Sequence, residues 1–114
     1  MTTIEPLSMA LKAREALLAK KGEHPILLDV RELSNVTDYY LIVTGNNAPH
    51  LKALAGELDH QLRPCGVDCH RRAGTPDSGW LVVDYFDVVV HLFTPQARDY
   101  YALEQLWSDA KRVD

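Results

Sequence analysis

The sequence lacks the features that mark several large classes of protein. Its longest purely apolar runs span only a few residues, as at residues 88–90, whereas a helix that crosses a bilayer needs about 20. We therefore expect no membrane span. The first residues lack the basic and apolar regions of a secretory signal peptide, so the expected compartment is the cytoplasm. The chain has only two cysteines, which we expect to remain thiols there.

Basic charge is also scarce. Lysine and arginine number 12 against 16 aspartates and glutamates, which gives a formal net charge of -4. Direct binding to a nucleic-acid backbone requires clustered basic side chains that release counterions, so this composition argues against direct DNA binding. An acidic protein can still reach a nucleoprotein through one of its basic proteins.

The apolar content is that of an ordinary packed domain. Hydrophobic residues make up 46% of the 114 residues, so we expect one domain over residues 1–114. Periodicity predicts elements in the order α-β-β-α-β-β-β-α. Helices are predicted over residues 7–21, from Asn47 to Gly66, and over residues 95–110, and strands over residues 26–30, 39–44, 67–72, 80–83 and 88–93. This order predicts an α/β sandwich with a mixed five-stranded sheet and helices against its faces.

The local stop and start signals support these bounds. Gly22 is predicted to end the first helix, and Asn47 and Thr94 are predicted N-caps of the other two. Residues 84–87 are predicted to form the tight turn of an antiparallel hairpin.

Cysteine and histidine side chains raise the possibility of a metal site. Cys65, Cys69 and His70 lie close together in the sequence, with His50 and His60 upstream. A structural zinc site usually has paired ligands at short spacing, whereas these cysteines fall at a helix end and a strand start. We therefore favour ordinary thiols over a zinc site.

Carboxylates raise the possibility of an enzyme. This element order allows a nucleotidyltransferase-like fold, in which strand carboxylates hold Mg²⁺, and Asp29, Asp38, Asp84 and Asp87 are the candidates. Such chemistry typically needs an Asp-x-Asp pair on one strand, which is missing. The turn at residues 45–47 could hold an anion, but turns of this kind are mostly plain helix caps. We therefore expect no enzymatic activity and no cofactor.

Aromatic side chains concentrate in the last third of the chain. More of them occur than a domain this small can bury, so some should be exposed: Trp80, Tyr85, Phe86, Tyr100, Tyr101 and Trp107. Together with neighbouring carboxylates they would present an aromatic, acidic surface to a basic partner, although a core position is equally expected for either tryptophan. His91 lies among valines, where a hydrogen-bonded structural role is favoured over that of a general base.

Several blocks of the sequence together resemble the ribosomal silencing factor, or Iojap-like, family. The first blocks are Leu28-Asp29-Val30, then Thr37-Asp38-Tyr39-Tyr40 with Thr44-Gly45-Asn46, and then Gly79-Trp80-Leu81-Val82-Val83-Asp84-Tyr85. They are followed by Asp87-Val88-Val89-Val90-His91-Leu92-Phe93 and by Arg98-Asp99-Tyr100-Tyr101-Ala102-Leu103-Glu104-Gln105-Leu106-Trp107. The resemblance covers about residues 7–110.

The resemblance implies a nucleotidyltransferase-like fold that lacks the catalytic carboxylates and performs no chemistry. It implies binding to the large ribosomal subunit through its fourteenth protein, at the face that meets the small subunit, so that subunit joining is blocked sterically. Self-association as a homodimer is a further expectation. Two alternatives stay open: a ribosome-biogenesis adaptor on immature large subunits, and a nucleotide- or phosphate-handling enzyme.

Matching positions in the family's signature predict the residues that supply or support the interface: Trp80, Asp84, Tyr85, Asp87, Arg98, Tyr101, Glu104 and Trp107. Two positions depart from the family's pattern. Ala73 replaces a glutamate that usually precedes the glycine at position 74, and Phe86 replaces a glycine before the hairpin aspartate. Because a positive φ is unfavourable for phenylalanine, we expect a different turn type there, with an extra ring at the hairpin tip.

Overall fold

A mixed sheet with helices on both faces organises the chain. The computed structural model describes residues 5–34 and 37–113, apart from the side chains of Glu104 and Leu106. The helices are α1 (Pro6–Ala19), α2 (Ala48–Leu62), α3 (Pro95–Tyr101) and α4 (Leu103–Leu106). The strands are β1 (Glu23–Asp29), β2 (Tyr39–Thr44), β3 (Arg71–Thr75), β4 (Trp80–Asp84), β5 (Val88–Phe93) and β6 (Lys111–Arg112). Among the described residues, no helix is long and apolar enough to cross a membrane.

The sheet has six strands in the order β3-β4-β5-β2-β1-β6. Strands β2 and β5 run parallel and all other neighbours run antiparallel, so the predicted mixed sheet is confirmed. The predicted number of five strands is wrong, because Lys111 and Arg112 add a short edge strand on β1. Two exposed charged residues have no apolar alternation, which is why periodicity did not indicate this strand.

Helix α1 ends two residues earlier than predicted. The helix ends at Ala19, and Lys21, not Gly22, takes the left-handed conformation, with φ 66°. The amides of Lys21 and Gly22 donate to the carbonyls of Leu18 and Leu17, as in a Schellman motif. Glycine is still required at position 22, since a Cβ there would lie 2.7 Å from Cγ1 of Val43.

The C-terminal helical segment is broken, whereas a single helix over residues 95–110 was expected. The predicted cap is confirmed, because Thr94 Oγ1 accepts a hydrogen bond from the Ala97 amide. The helix then stops at Tyr101, and Ala102 has φ 46° before α4 begins. The break redirects the chain so that Leu103 and Trp107 pack against the sheet.

The predicted strand over residues 67–72 also begins late, at Arg71. The preceding helix ends at Leu62, and a 3₁₀ turn over Arg63–Cys65 leads to Gly66, which has φ 81°. Gly66 therefore closes the whole helical segment, as predicted, while residues 67–70 connect it to the sheet without strand pairing.

The two faces of the sheet are packed unequally. On the covered face, α1 and α2 bury a large aliphatic core, which includes Leu17, Leu27, Leu41, Val43, Leu51, Leu54, Leu58, Val90 and Leu92. On the opposite, open face, a smaller core consists of Leu28, Val30, Ile42, Phe93 and Ala97, and within the described part of the chain the C-terminal segment covers it. The open face is therefore the part of the sheet that remains accessible.

Candidate functional site

The open face is built from alternate residues of three neighbouring strands. In the β4–β5 pairing Trp80 lies opposite Phe93 and Val82 opposite His91, and in the β2–β5 pairing Tyr40 lies beside Val89. Side chains two residues apart on a strand point to the same side of a sheet. This register brings Tyr40, Trp80, His91 and Phe93 to one surface.

These rings and two from the C-terminal segment form a continuous cluster. We call it the aromatic cluster, and its members are Tyr40, Trp80, His91, Phe93, Tyr101 and Trp107. Trp80 lies 5.1 Å from Phe93 and 4.4 Å from Tyr101, measured between ring centroids. Tyr40 lies 5.0 Å from Trp107 and 5.3 Å from His91. The cluster thus joins three of the predicted interface residues: Trp80, Tyr101 and Trp107.

Both tryptophans are half-buried. Tyr101 is 43% exposed, and its neighbour Tyr100 is 82% exposed. Large rings that are held by packing yet remain partly accessible are typical of binding hot spots. The cluster therefore has the character of a recognition surface.

Asp84 and Asp87 lie at the hairpin, but in different environments. Asp84 is buried; its Oδ1 accepts from the Phe86 amide at 2.8 Å, and its Oδ2 lies 3.6 Å from Arg71. Asp87 is exposed at the tip. Asp84 therefore stabilises the turn, and Asp87 is the accessible carboxylate.

Phe86 takes the conformation that we expected it to avoid. Its φ is 72°, so the expectation of a different turn type is wrong. The hydrogen bond from its amide to Asp84 holds the turn, and its ring stacks on His70 at 3.8 Å. The ring is 60% exposed, which confirms the prediction of an extra aromatic at the hairpin tip.

Tyr85 lies on the covered face, away from the aromatic cluster. It is 3% exposed, and its hydroxyl donates to Oδ1 of Asp59 at 2.8 Å. Asp59 also pairs with Arg72. Burial and the Asp59 carboxylate raise the pKa of Tyr85. This network ties the hairpin to α2 and β3, so in this conformation Tyr85 can support an interface but cannot contact a partner.

Arg98 is likewise internal. Its Nη1 donates to the His24 carbonyl and to Thr44 Oγ1, both at 2.7 Å. His24 lies where the β1 register shifts and has φ 51°, which makes its carbonyl available to Arg98. Arg98 therefore fixes α3 to the sheet. The side chain of the remaining predicted residue, Glu104, lies outside the described part of the structure.

His91 is a structural member of the cluster, as favoured from the sequence. Its Nδ1 accepts a hydrogen bond from Trp80 Nε1 at 3.1 Å. Burial lowers its pKa to about 4, so the ring is neutral at physiological pH. Sequence reasoning missed His91 and Tyr40 as members of the site, because the parallel pairing of β2 with β5 leaves no local signal.

The alternative sites from the sequence are occupied by internal contacts. Asn47 Oδ1 accepts from the His50 amide at 3.0 Å, and His50 Nδ1 accepts from the Asn46 amide at 2.9 Å, so these amides are not available to an anion. Cys65 and Cys69 are free thiols. In residues 5–34 and 37–113, no group of three His, Cys, Asp or Glu side chains could hold a metal ion.

Comparisons with known proteins agree on one family. The family model described as "Ribosomal silencing factor during starvation" matches residues 3–114. A ribosomal silencing factor from Bacillus subtilis is 39% identical over 95 residues, which is 83% of this chain and 80% of that protein. A crystal structure from Chromobacterium violaceum superposes with a TM-score of 0.87 at 37% identity, over 92% of this chain and 88% of that chain. A mouse protein named "Mitochondrial assembly of ribosomal large subunit protein 1" is 35% identical over 75 residues, 63% of this chain and 33% of that protein.

Proposed function

This chain belongs to the ribosomal silencing factor family, and on that premise we propose that it binds the large ribosomal subunit and blocks joining with the small subunit. The observation that carries the proposal is the aromatic cluster, a partly exposed row of rings across β2, β4, β5 and the C-terminal segment. Such a surface provides area and rigidity without a catalytic group, and steric occlusion requires only those.

We propose the fourteenth protein of the large subunit as the direct partner. The net charge of -4 and the exposed Asp87 at the hairpin tip favour a basic protein over nucleic acid. Trp80, Tyr101 and Trp107 would make the contact, and Asp84, Tyr85 and Arg98 would hold the hairpin and α3 in place.

A non-catalytic role is consistent with the state of the candidate carboxylates. Asp29 is held by Arg31 through hydrogen bonds of 3.0 and 2.8 Å, and these lower the pKa of Asp29. Asp84 is engaged by the Phe86 amide and by Arg71. We propose that the chain keeps a nucleotidyltransferase-like sheet without that chemistry, and that it acts in the cytoplasm, where ribosomes assemble.

A second candidate is an adaptor in the assembly of the large subunit. The name of the mouse relative favours it, since that protein is named for assembly of the mitochondrial large subunit. Both functions use the same subunit and differ in outcome: the adaptor leaves subunit joining unchanged. Self-association through the exposed Tyr100 and Tyr101 is compatible with either function.

Sedimentation of purified large and small subunits, with and without the protein at fixed Mg²⁺, tests the proposal. We expect the protein to travel with large subunits and the joined peak to fall. Co-sedimentation without a fall in joining would favour the adaptor, and no co-sedimentation would refute the proposed block of subunit joining. Leu18→Ala, which removes an exposed side chain of α1, is the matched control for Tyr101→Ala, because the two residues are 44% and 43% exposed.

A further inference from the structure

One buried polar group on the open face has no hydrogen-bond partner among the described residues. Trp80 Nε1 can only donate, so the Nδ1 of His91 must be the acceptor, and a neutral ring then has its proton on Nε2. His91 is 8% exposed, and no acceptor within the described residues lies in reach of Nε2. Buried donors are nearly always paired, because leaving one unpaired costs stability.

This histidine lines a recess of about 280 Å³ on the open face. Val82, Val89 and Tyr40 supply apolar walls, and the pair formed by Arg71 and Asp84 lies at the polar side. The recess is continuous with the aromatic cluster, since Tyr40 and His91 belong to both. It therefore lies within the proposed ribosome-binding surface.

The chemistry of the recess favours an uncharged oxygen as its occupant. The His91 ring is neutral, and the buried Asp84 carboxylate would repel an anion. Two arginines line the recess and both are paired, Arg71 with Asp84 and Arg72 with Asp59, so their charges are matched. A cation would meet a carboxylate that is already engaged. A peptide carbonyl on an apolar segment satisfies both the lone donor and the apolar walls.

We propose that this recess receives an exposed peptide segment of the ribosomal partner protein, and that His91 Nε2 donates a hydrogen bond to a backbone carbonyl of that segment. The proposal rests on the proposed function, since it names a contact made by the same surface. Because Nε2 is shielded from solvent, a side chain that lines the recess has to move to admit the carbonyl. Tyr40, which is partly exposed and meets the His91 ring edge-on at 5.3 Å, is the candidate.

A hydrogen bond from this unpaired donor should contribute more to the binding free energy than a surface hydrogen bond does. An exposed N–H gives up a water when it binds a partner, so its net contribution is small. The Nε2 group has no such water to lose, because its atom is shielded from solvent. We therefore expect loss of this donor to weaken binding by about tenfold.

The first test is the affinity of His91→Phe for purified large subunits, measured by pelleting over a range of subunit concentrations. Phenylalanine keeps a ring in the recess and removes the Nε2 donor together with the Nδ1 acceptor of Trp80, and Leu18→Ala is the control. The expected result is a folded variant with about tenfold weaker binding. A folded variant that binds as well as the wild type overturns this inference and leaves the proposed function standing. Failure of the wild type to bind refutes the proposed function itself.

A second test needs no variant. In ¹⁵N-labelled wild-type protein, the Nε2 proton of His91 should be observed in the free state and should shift downfield when the isolated fourteenth ribosomal protein is added. Binding without any change in that resonance would overturn the contact.

Discussion

The covered face of the sheet is packed by aliphatic side chains from two long helices, whereas the open face carries rings beneath a short, broken segment. On the covered face the large buried side chains are fully enclosed, as Leu41 and Leu58 show. On the open face Trp80 and Trp107 are half-buried. The first arrangement maximises burial, and the second leaves area for a partner.

Because of this difference, we expect substitutions on the two faces to be detected by different measurements. A defect on the covered face should change the free energy of unfolding and leave the affinity of the folded fraction unchanged. A defect in the exposed rings of the open face should do the reverse. Residues of the family signature lie on both faces, because Tyr85 belongs to the covered face and Tyr101 to the open face.

The largest expected effect is a cavity on the covered face. Leu58 is fully buried between α2 and the sheet, so Leu58→Ala should lower the free energy of unfolding by about 3 kcal/mol. Urea unfolding followed by circular dichroism measures this, with Leu18→Ala as a surface control expected to change stability by about 0.5 kcal/mol or less. Equal losses in the two variants would contradict the packing described for this face.

The next effect is a dependence of stability on pH, which we expect from His91 on the open face. Its pKa falls from 6.5 to about 4 on folding, so the unfolded chain binds a proton at a pH where the folded protein does not. The stability contribution is complete above pH 6.5 and is lost as the pH falls to about 4, by about 3 kcal/mol in all.

Urea unfolding at pH 7 and pH 5 measures the part of this loss that falls between those values, about 2 kcal/mol. In His91→Phe the dependence over that window should be much weaker, because the variant has no group there to protonate. If the variant lost stability on acidification as steeply as the wild type, other groups would be responsible.

Two smaller effects compare one substitution on each face of the sheet. Tyr85→Phe removes the hydroxyl that donates to Asp59 and should cost about 1 to 2 kcal/mol of stability, with unchanged affinity for large subunits. Tyr101→Ala should change stability little and weaken binding by about 1 to 2 kcal/mol. Pelleting and urea unfolding on both variants decide the matter, and a drop in affinity for Tyr85→Phe would place the hairpin hydroxyl in the interface.

The elements that sequence reasoning predicted well have strong local signals. Strand β2 and the N-caps at Asn47 and Thr94 depend on residue type and spacing within a few positions. Strand β6 was not predicted because it depends on a tertiary contact, the pairing of Lys111 with β1. The break in the C-terminal helix was not predicted because Ala102 has an unfavourable positive φ that no local sequence pattern indicates. The membership of the aromatic cluster was only half predictable for the same reason, because Tyr40 meets Trp107 through folding alone.

The smallest expected change in stability concerns Phe86 in the hairpin, where both faces of the sheet end. Its φ of 72° strains a phenylalanine, so Phe86→Gly should relieve that strain, but the ring's stacking on His70 would be lost. The two contributions are each about 1 kcal/mol and oppose one another, so the single variant should change stability little. A double-mutant cycle with His70→Ala separates them: Phe86→Gly should stabilise the protein more in the His70→Ala background, by about 0.5 to 1 kcal/mol. Thermal unfolding of the four proteins measures this coupling, and a coupling of zero would mean that the stack does not compensate for the strained backbone.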